Sequence, residues 1–182
     1  MKNLTQFKEI EDQLIIGDCI LVDSDSFISD SIEWFENGKV SHVALYTGDD
    51  EVIEATETGV KCNKISKYYN TKYNWCVRRI PNLTAARAQK MVDGAWKLIG
   101  KKYDFFQFFG LALFFIWKRL TGKKEYWLIG QSGNDMMICS ELYTMVARDA
   151  GINLLPNLEL KAVTPEDLYT TNQLITVKEL RH

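Results

Sequence analysis

The 182-residue sequence has only two histidines, four cysteines and three prolines, and neither sign of charge is in large excess. Its formal net charge is -2, and its 22 basic and 24 acidic residues are mixed along the whole chain. A nucleic-acid-binding protein needs clustered basic residues, so this charge distribution argues against a nucleic-acid partner. The function is therefore sought among classes that do not depend on a strongly basic surface.

Targeting and metal-binding patterns are also missing. Residues 1–16 contain no continuous apolar stretch followed by a small-residue cleavage site, so we expect no secretory signal and a cytoplasmic location. The cysteines form neither a CxxC pair nor paired metal-ligand spacing. We therefore predict free thiols in a reducing compartment, with no metal and no cofactor. The four cysteines are Cys19, Cys62, Cys76 and Cys139.

No hydrophobic run is long enough to cross a bilayer. The longest, Phe105–Trp117, is about two thirds of the length of a membrane span and is interrupted by Gln107. We predict an apolar helical segment over residues 104–120. Its apolar residues cover every face of a helix, which leaves two interpretations open: packing in the core, or contact with a lipid or membrane surface.

The elements that are present predict one α+β domain over residues 1–182, with 46% hydrophobic and 12% aromatic residues to form its core. Alternating or short apolar runs between turn residues predict strands, of which the middle four are expected to form an antiparallel meander. Capping residues and glycine stops predict helices that pack on this sheet. The predicted strands are Asp18–Asp23, Val40–Thr47, Glu51–Thr56, Val60–Ile65, Tyr73–Ile80 and Gln173–Val177. The predicted helices are Ser26–Asn37, Thr84–Ile99, Met137–Ala150 and Thr164–Leu168.

Cys139 is the candidate nucleophile. It lies in the first turn of a predicted helix, where unpaired backbone N–H groups and the helix dipole stabilise a thiolate. The other three cysteines lie inside predicted strands, where a buried thiol acts as a small inert hydrophobe. The backbone N–H of Cys139 is also a candidate donor to an oxyanion.

His42 is the candidate base, because a thiol nucleophile needs a group that accepts its proton and later returns it to the leaving group. The other histidine, His182, is the last residue, where fraying is expected. The period of two in the strand places His42 on the same face as Ala44 and Tyr46. An ordinary strand histidine is the alternative interpretation.

Glu54 is the candidate for the group that orients His42. It stands between two apolar residues of a predicted strand, an unusual place for an acid that only solvates the surface. A three-residue loop over 47–49 would place it directly opposite His42, and one over 48–50 would place it diagonally. A two-residue loop is expected to put it on the other face and to exclude the contact. An ordinary acid at a strand edge is the alternative.

These motifs together resemble the circularly permuted branch of the NlpC-type papain-like cysteine hydrolases, which includes the YiiX-like proteins. The resemblance covers roughly residues 14–170 and rests on the order of short motifs along the chain. They are Gly17-Asp18, Ser41-His42-Val43-Ala44, Val52-Ile53-Glu54-Ala55, Tyr103-Asp104 and Cys139-Ser140-Glu141-Leu142. It implies a papain-like fold with a helix that carries the nucleophile, and a triad of Cys139, His42 and Glu54.

The resemblance predicts hydrolysis of an amide bond in a peptide or cell-wall-peptide-like substrate through an acyl-thioester. Two alternatives stay open: acyl transfer or ester cleavage on a lipid, with the segment Phe105–Trp117 in contact with acyl chains, and a non-catalytic binding domain of the same fold. The predicted partner is a small peptide-like or acyl-containing substrate. Tyr46, Tyr103 and Asp104 are weaker candidates for lining the cleft.

Overall fold

The fold was analysed in a computed structural model, which describes residues 4–23, 39–56, 58–69, 74–101 and 139–180. Helices and strands alternate irregularly along these ranges. The helices are α1 (Leu4–Glu11), α2 (Ala85–Trp96), α3 (Cys139–Asp149) and α4 (Pro165–Thr170), with short 3-10 helices at Ile65–Tyr68 and Leu160–Ala162. The strands are β1 (Cys19–Asp23), β2 (His42–Gly48), β3 (Glu51–Thr56), β4 (Gly59–Lys64), β5 (Asn74–Arg79) and β6 (Ile175–Leu180).

The six strands form one sheet in the order β4-β3-β2-β1-β5-β6, and all neighbours are antiparallel. The predicted meander is correct for β2, β3 and β4 only. After β4 the chain crosses to the far side of β1, so that β5 pairs with β1 and not with β4. β1 is central, and its residues Cys19–Val22 are fully buried, which suits its continuous apolar sequence.

Each face of the sheet is covered by its own apolar cluster. One cluster joins the sheet to α2, α3 and α4 through side chains such as Met91, Leu142 and Leu168. The other joins it to α1 and the first 3-10 helix through Phe7, Ile10 and Tyr68. The sheet therefore lies between two layers of helices, and the predicted α+β architecture is confirmed.

Local signals in the sequence explain where the described helices begin and end. The Thr84 hydroxyl accepts a hydrogen bond from the Arg87 N–H and caps α2. Thr164 and Asp167 form a reciprocal capping box at α4. Helix α3 ends at a left-handed Gly151, whose N–H donates to the carbonyl of Arg148 while the following Ile152 N–H reaches Ala147.

Two predicted helices, Ser26–Asn37 and the apolar segment 104–120, lie outside the described residues. The sequence analysis predicted no helix before β1, yet α1 is present and its Phe7 ring stacks on Tyr69 at 5.0 Å between centroids. Within the part of the chain that is described, no helix combines the length and apolar character required to span a membrane.

Candidate active site

His42 and Glu54 are in direct contact on adjacent strands. The Nε2 atom of His42 lies 2.6 Å from Oε2 of Glu54. The Glu54 side chain is 1% exposed, whereas His42, the first residue of β2, is 20% exposed. A buried carboxylate therefore holds one nitrogen of an imidazole that is still open to solvent at the end of its strand.

The β2–β3 hairpin brings these two residues together by a route that the sequence analysis did not predict. Its tip is a two-residue turn, Asp49-Asp50, in which both residues have positive φ. A β-bulge between Tyr46 and Gly48 then restores the register Tyr46↔Val52, which places Glu54 diagonally from His42 on the same face. The expectation that a two-residue loop excludes the contact was wrong. The bulge adds one residue to β2, so beyond the bulge the two strands pair as they would across a three-residue loop.

Glu54 is surrounded by hydrogen-bond donors on both carboxylate oxygens. Oε2 faces His42 and accepts from the hydroxyl of Tyr68, while Oε1 accepts from the Lys67 ammonium and, at 2.9 Å, from the Asn63 amide. Four donors saturate this buried group, so its orientation is fixed. The sequence analysis missed the last three residues. Only Asn63 carries a signal, because its place diagonal to Glu54 follows once the β3–β4 register is known.

The 3-10 helix Ile65–Tyr68 carries two of these donors to Glu54. Its Ile65 and Tyr68 side chains are buried, and the Ile65 N–H donates to the carbonyl of Asp50 at 2.8 Å. The indole N–H of Trp75 donates to the Tyr68 carbonyl at 3.0 Å. Both ends of this short helix are thus tied to the sheet, which holds the phenol of Tyr68 beside the carboxylate.

Cys139 reaches the same site from the opposite layer. It is the first described residue of α3, it is 6% exposed, and it packs in one cluster with Val43 and Leu45 of β2. Its side chain lies close enough to His42 to influence the protonation of the imidazole. Since His42 stands at the end of its strand, its ring can meet a helix packed on the other face of the sheet.

The charges of this group of side chains stabilise one another. Burial disfavours the charged imidazolium, but its hydrogen bonds to Cys139 and Glu54 and their charges outweigh this effect and raise the pKa of His42 to about 9. Burial also disfavours the Glu54 carboxylate, yet the hydrogen bond with His42 and the charges of His42 and Lys67 lower its pKa to about 2. Glu54 is therefore ionised at neutral pH and accepts from the Nε2–H of His42, which leaves Nδ1 for Cys139.

The remaining candidates among the described residues take no part in this arrangement. Cys19 and Cys76 are buried in β1 and β5, and burial raises the pKa of Cys19 well above its ordinary value. Cys62 is only partly buried on β4, and its pKa is raised mainly by desolvation. Tyr46 packs in the cluster under α1. Tyr103, Asp104 and His182 lie outside the described residues.

Thiol, imidazole and carboxylate thus come together from three separate parts of the chain, in the order required for a nucleophile, a base and a group that orients the base. A family model described as "permuted papain-like amidase enzyme, YaeF/YiiX, C92 family" matches residues 13–109. This range is just over half of the chain and includes His42 and Glu54, whereas Cys139 lies beyond it. The chain belongs to this permuted papain-like amidase family, and the predicted resemblance is confirmed.

Two individual proteins are similar to the chain. A curated protein named "Probable lipoprotein peptidase YaeF", from Escherichia coli strain K12, is 33% identical over 89 residues, which are 49% of this chain and 32% of that protein. The chain thus spans about a third of that relative. The crystal structure of "metalloprotein yiiX" from Escherichia coli O157:H7 has a TM-score of 0.69 and 22% identity, and the match covers 92% of this chain and 98% of that one. The second likeness shows that the fold is shared.

This neighbour is described as a metalloprotein, which raises the question of a metal site in this chain. No group of three or more His, Cys, Asp or Glu side chains is placed to hold a metal ion in the ranges described between residues 4 and 180. In the candidate active site, Nε2 of His42 is already occupied by Glu54, and both oxygens of Glu54 accept from protein donors. These residues do not fit a metal centre, and the chemistry derived below uses none.

Proposed function

We propose that this protein is a cysteine hydrolase that cleaves an amide bond in a peptide or cell-wall-peptide-like substrate. Cys139 is the nucleophile, His42 its base, and Glu54 the acid that orients His42. The observation that carries the proposal is the position of the His42 ring, which contacts the buried Glu54 carboxylate at 2.6 Å and lies near enough to Cys139 for that residue to influence its protonation. Membership of an amidase family supports the reaction class.

The reaction proceeds in two halves. His42 accepts the proton of the Cys139 thiol, and the thiolate attacks the carbonyl carbon of the amide. The backbone N–H of Cys139 is a candidate donor to the oxyanion that forms. His42 then gives its proton to the leaving amine, the C–N bond breaks, and an acyl-thioester remains on Cys139. Water attacks this thioester while His42 takes its proton, the C–S bond breaks, and His42 returns the proton to the Cys139 sulfur as the free carboxylic acid is released.

The proposed substrate is a small peptide-like or acyl-containing molecule, and a cytoplasmic location stays a prediction. Ester cleavage and acyl transfer to an alcohol would pass through the same acyl-thioester, so substrate assays must separate them from amide hydrolysis. The segment Phe105–Trp117, with which lipid contact was associated, lies outside the described residues.

The first test uses the full chain with a panel of small peptide amides and the matching esters. We expect amide cleavage to fall by at least about 10³-fold in Cys139→Ala and to stay near wild type in the matched cysteine variant Cys62→Ser. Intact-mass spectrometry should detect an acyl adduct on Cys139 that hydroxylamine removes. Amide cleavage that persists in Cys139→Ala would refute the proposal, and cleavage of esters alone would replace amide hydrolysis by ester hydrolysis.

A second test needs no substrate. At neutral pH, iodoacetamide should alkylate Cys139 faster than Cys62, because His42 accepts the Cys139 proton. Peptide mapping by mass spectrometry measures both rates in one sample. The difference should disappear in His42→Ala, and an equal rate for Cys139 with and without His42 would argue against the pair.

A further inference from the structure

Lys67 is the least expected member of the candidate site. Its side chain is 38% exposed, yet its ammonium ends on Oε1 of Glu54, a carboxylate that is 1% exposed. Of the four groups that donate to Glu54, Asn63 and Tyr68 are neutral and His42 is the proposed base. Lys67 is therefore the only one of the four that brings a lasting positive charge without taking part in proton transfer.

We propose that Lys67 is a positioning residue of the proposed active site, which aligns the Glu54 carboxylate and offsets its charge so that His42 can release its proton to the leaving group. The inference rests on the proposed function, in which His42 must act first as a base and then as an acid. The 3-10 helix after β4 would then contribute to the proton transfers of His42 through Lys67.

Geometry supports the alignment of the carboxylate. Lys67 and Tyr68 are neighbours in the 3-10 helix but approach different oxygens of Glu54, Oε1 and Oε2 respectively. The Lys67 ammonium also lies 4.7 Å from the centre of the Tyr68 ring, within the range of a cation–π contact. A carboxylate held at both oxygens by one rigid turn cannot rotate away from the His42 Nε2 atom.

Charge balance supports the second part of the proposal. In the reactive state the site holds a Cys139 thiolate, a His42 imidazolium and a Glu54 carboxylate, which sum to one negative charge. The Lys67 ammonium brings this sum to zero. Without it, the carboxylate would hold the imidazolium proton more strongly, and His42 would be a weaker acid toward the leaving amine.

The ionisable groups around Glu54 come from three further elements. His42 lies on β2, Lys67 and Tyr68 on the 3-10 helix, and Lys61 directly opposite Glu54 on β4, where it is exposed. Cys139 of α3 faces the other side of the His42 ring. A measurement on His42 therefore reports the combined field of these groups, and each variant must change only one of them.

The test is an NMR titration of the imidazole signals in the full chain. The sequence has only two histidines, so a His182→Gln background leaves His42 as the sole reporter. Lys67→Met should raise the pKa of His42 by about 0.5 to 1 pH unit, and Lys67→Arg should restore it to near the parent value. Lys67→Gln, which keeps a donor but loses the charge, should behave like Lys67→Met and serves if the methionine variant does not fold.

Lys64→Met is the matched control. Lys64 pairs with the partly exposed Glu51 at 3.1 Å in the β3–β4 hairpin, so this variant removes the same charge away from Glu54. Its His42 titration should match that of the parent. An equal effect of Lys64→Met and Lys67→Met, or no effect of either, would overturn the inference.

Turnover separates this inference from the proposed function. Lys67→Met should slow amide cleavage by about threefold to tenfold and move the alkaline limb of the pH profile upward, in parallel with the His42 titration. Activity that requires Cys139 and His42 but ignores Lys67 would refute only the role of Lys67. A titration that responds to Lys67 in a protein without Cys139-dependent activity would refute the proposed function instead.

Discussion

Replacing Glu54 by Gln should remove a pH-dependent part of the protein's stability. The pKa of His42 is raised from 6.5 to about 9, so the folded state binds this proton more tightly than the unfolded chain. The stabilisation that it provides is fully present below about pH 6.5 and is lost as the pH rises through about 9. Glu54, with its pKa lowered from 4.5 to about 2, contributes above pH 4.5 and loses its contribution as the pH falls through about 2.

The size of the effect follows from the same values. For His42, the difference between the folded and the ordinary pKa is about 2.5 pH units, which corresponds to roughly 3 kcal/mol. The raised pKa of His42 and the lowered pKa of Glu54 describe one ion pair, so this free energy is counted once. Cys139 also raises the pKa of His42. The share that depends on Glu54 is therefore about 1 to 3 kcal/mol between pH 6.5 and 9.5.

Urea unfolding under reducing conditions measures this share at a series of pH values from 6 to 9.5. Deprotonation of buried thiols such as Cys19, whose pKa is raised by burial, also destabilises the folded state at high pH. That effect is common to both proteins, so the quantity of interest is the difference between wild type and Glu54→Gln. We expect this difference to shrink by about 1 to 3 kcal/mol across the range. A difference that stays constant would refute the ion pair.

Further predictions concern the backbone of the scaffold. Gly17 has φ +96, and an added Cβ would lie 2.6 Å from Leu83 Cδ2, the end of a side chain that would have to shift; Gly17→Ala should cost about 1 to 2 kcal/mol of unfolding free energy, from the left-handed backbone and this shift together. Gly151→Ala is the control in thermal melts, because its φ is +80 but nothing lies within 4 Å, and about 1 kcal/mol is expected. Equal costs would contradict the steric argument. The double variant Asp49→Asn, Asp50→Gly suits the positive φ values of the hairpin turn and should add about 0.5 to 1 kcal/mol, read from the urea midpoint. A lower midpoint would show that the aspartates have another role.

Much of the fold follows from signals that are local in the sequence. The alternation of apolar and polar residues gives β3 over Glu51–Thr56 with the predicted bounds, and the threonine caps at Thr84 and Thr164 begin α2 and α4 as predicted. These features depend on a few neighbouring residues, whose preferences are fixed by backbone geometry. Helix α1 was missed although Phe7 and Ile10 stand three residues apart and are both buried, because two apolar residues on either side of Lys8 and Glu9 are too short a pattern to indicate a helix.

The candidate site was predictable only in part. Cys139, His42 and Glu54 could be singled out because thiol and imidazole are rare in this chain and an acid between Ile53 and Ala55 is unusual. Lys67 and Tyr68 lie in a polar stretch with no distinguishing pattern. Their contact with Glu54 depends on how the chain turns after β4, and such a non-local contact leaves no mark on the neighbouring sequence.

The β-bulge also indicates where a peptide can be inserted into the protein. A one-residue shift in pairing would move every side chain of β2 to the other face of the sheet relative to β3. The buried faces of these strands therefore fix the register, and the conformation of the hairpin tip is the part that varies. The bulge beside Gly48 is part of that conformation. A peptide tag inserted between the exposed residues Asp49 and Asp50 should therefore lengthen the loop and leave the pairing of Tyr46 with Val52 unchanged. The tag would lie beside Asp50, whose carbonyl accepts from the Ile65 N–H, so the His42 titration would report whether the insertion also moves the 3-10 helix.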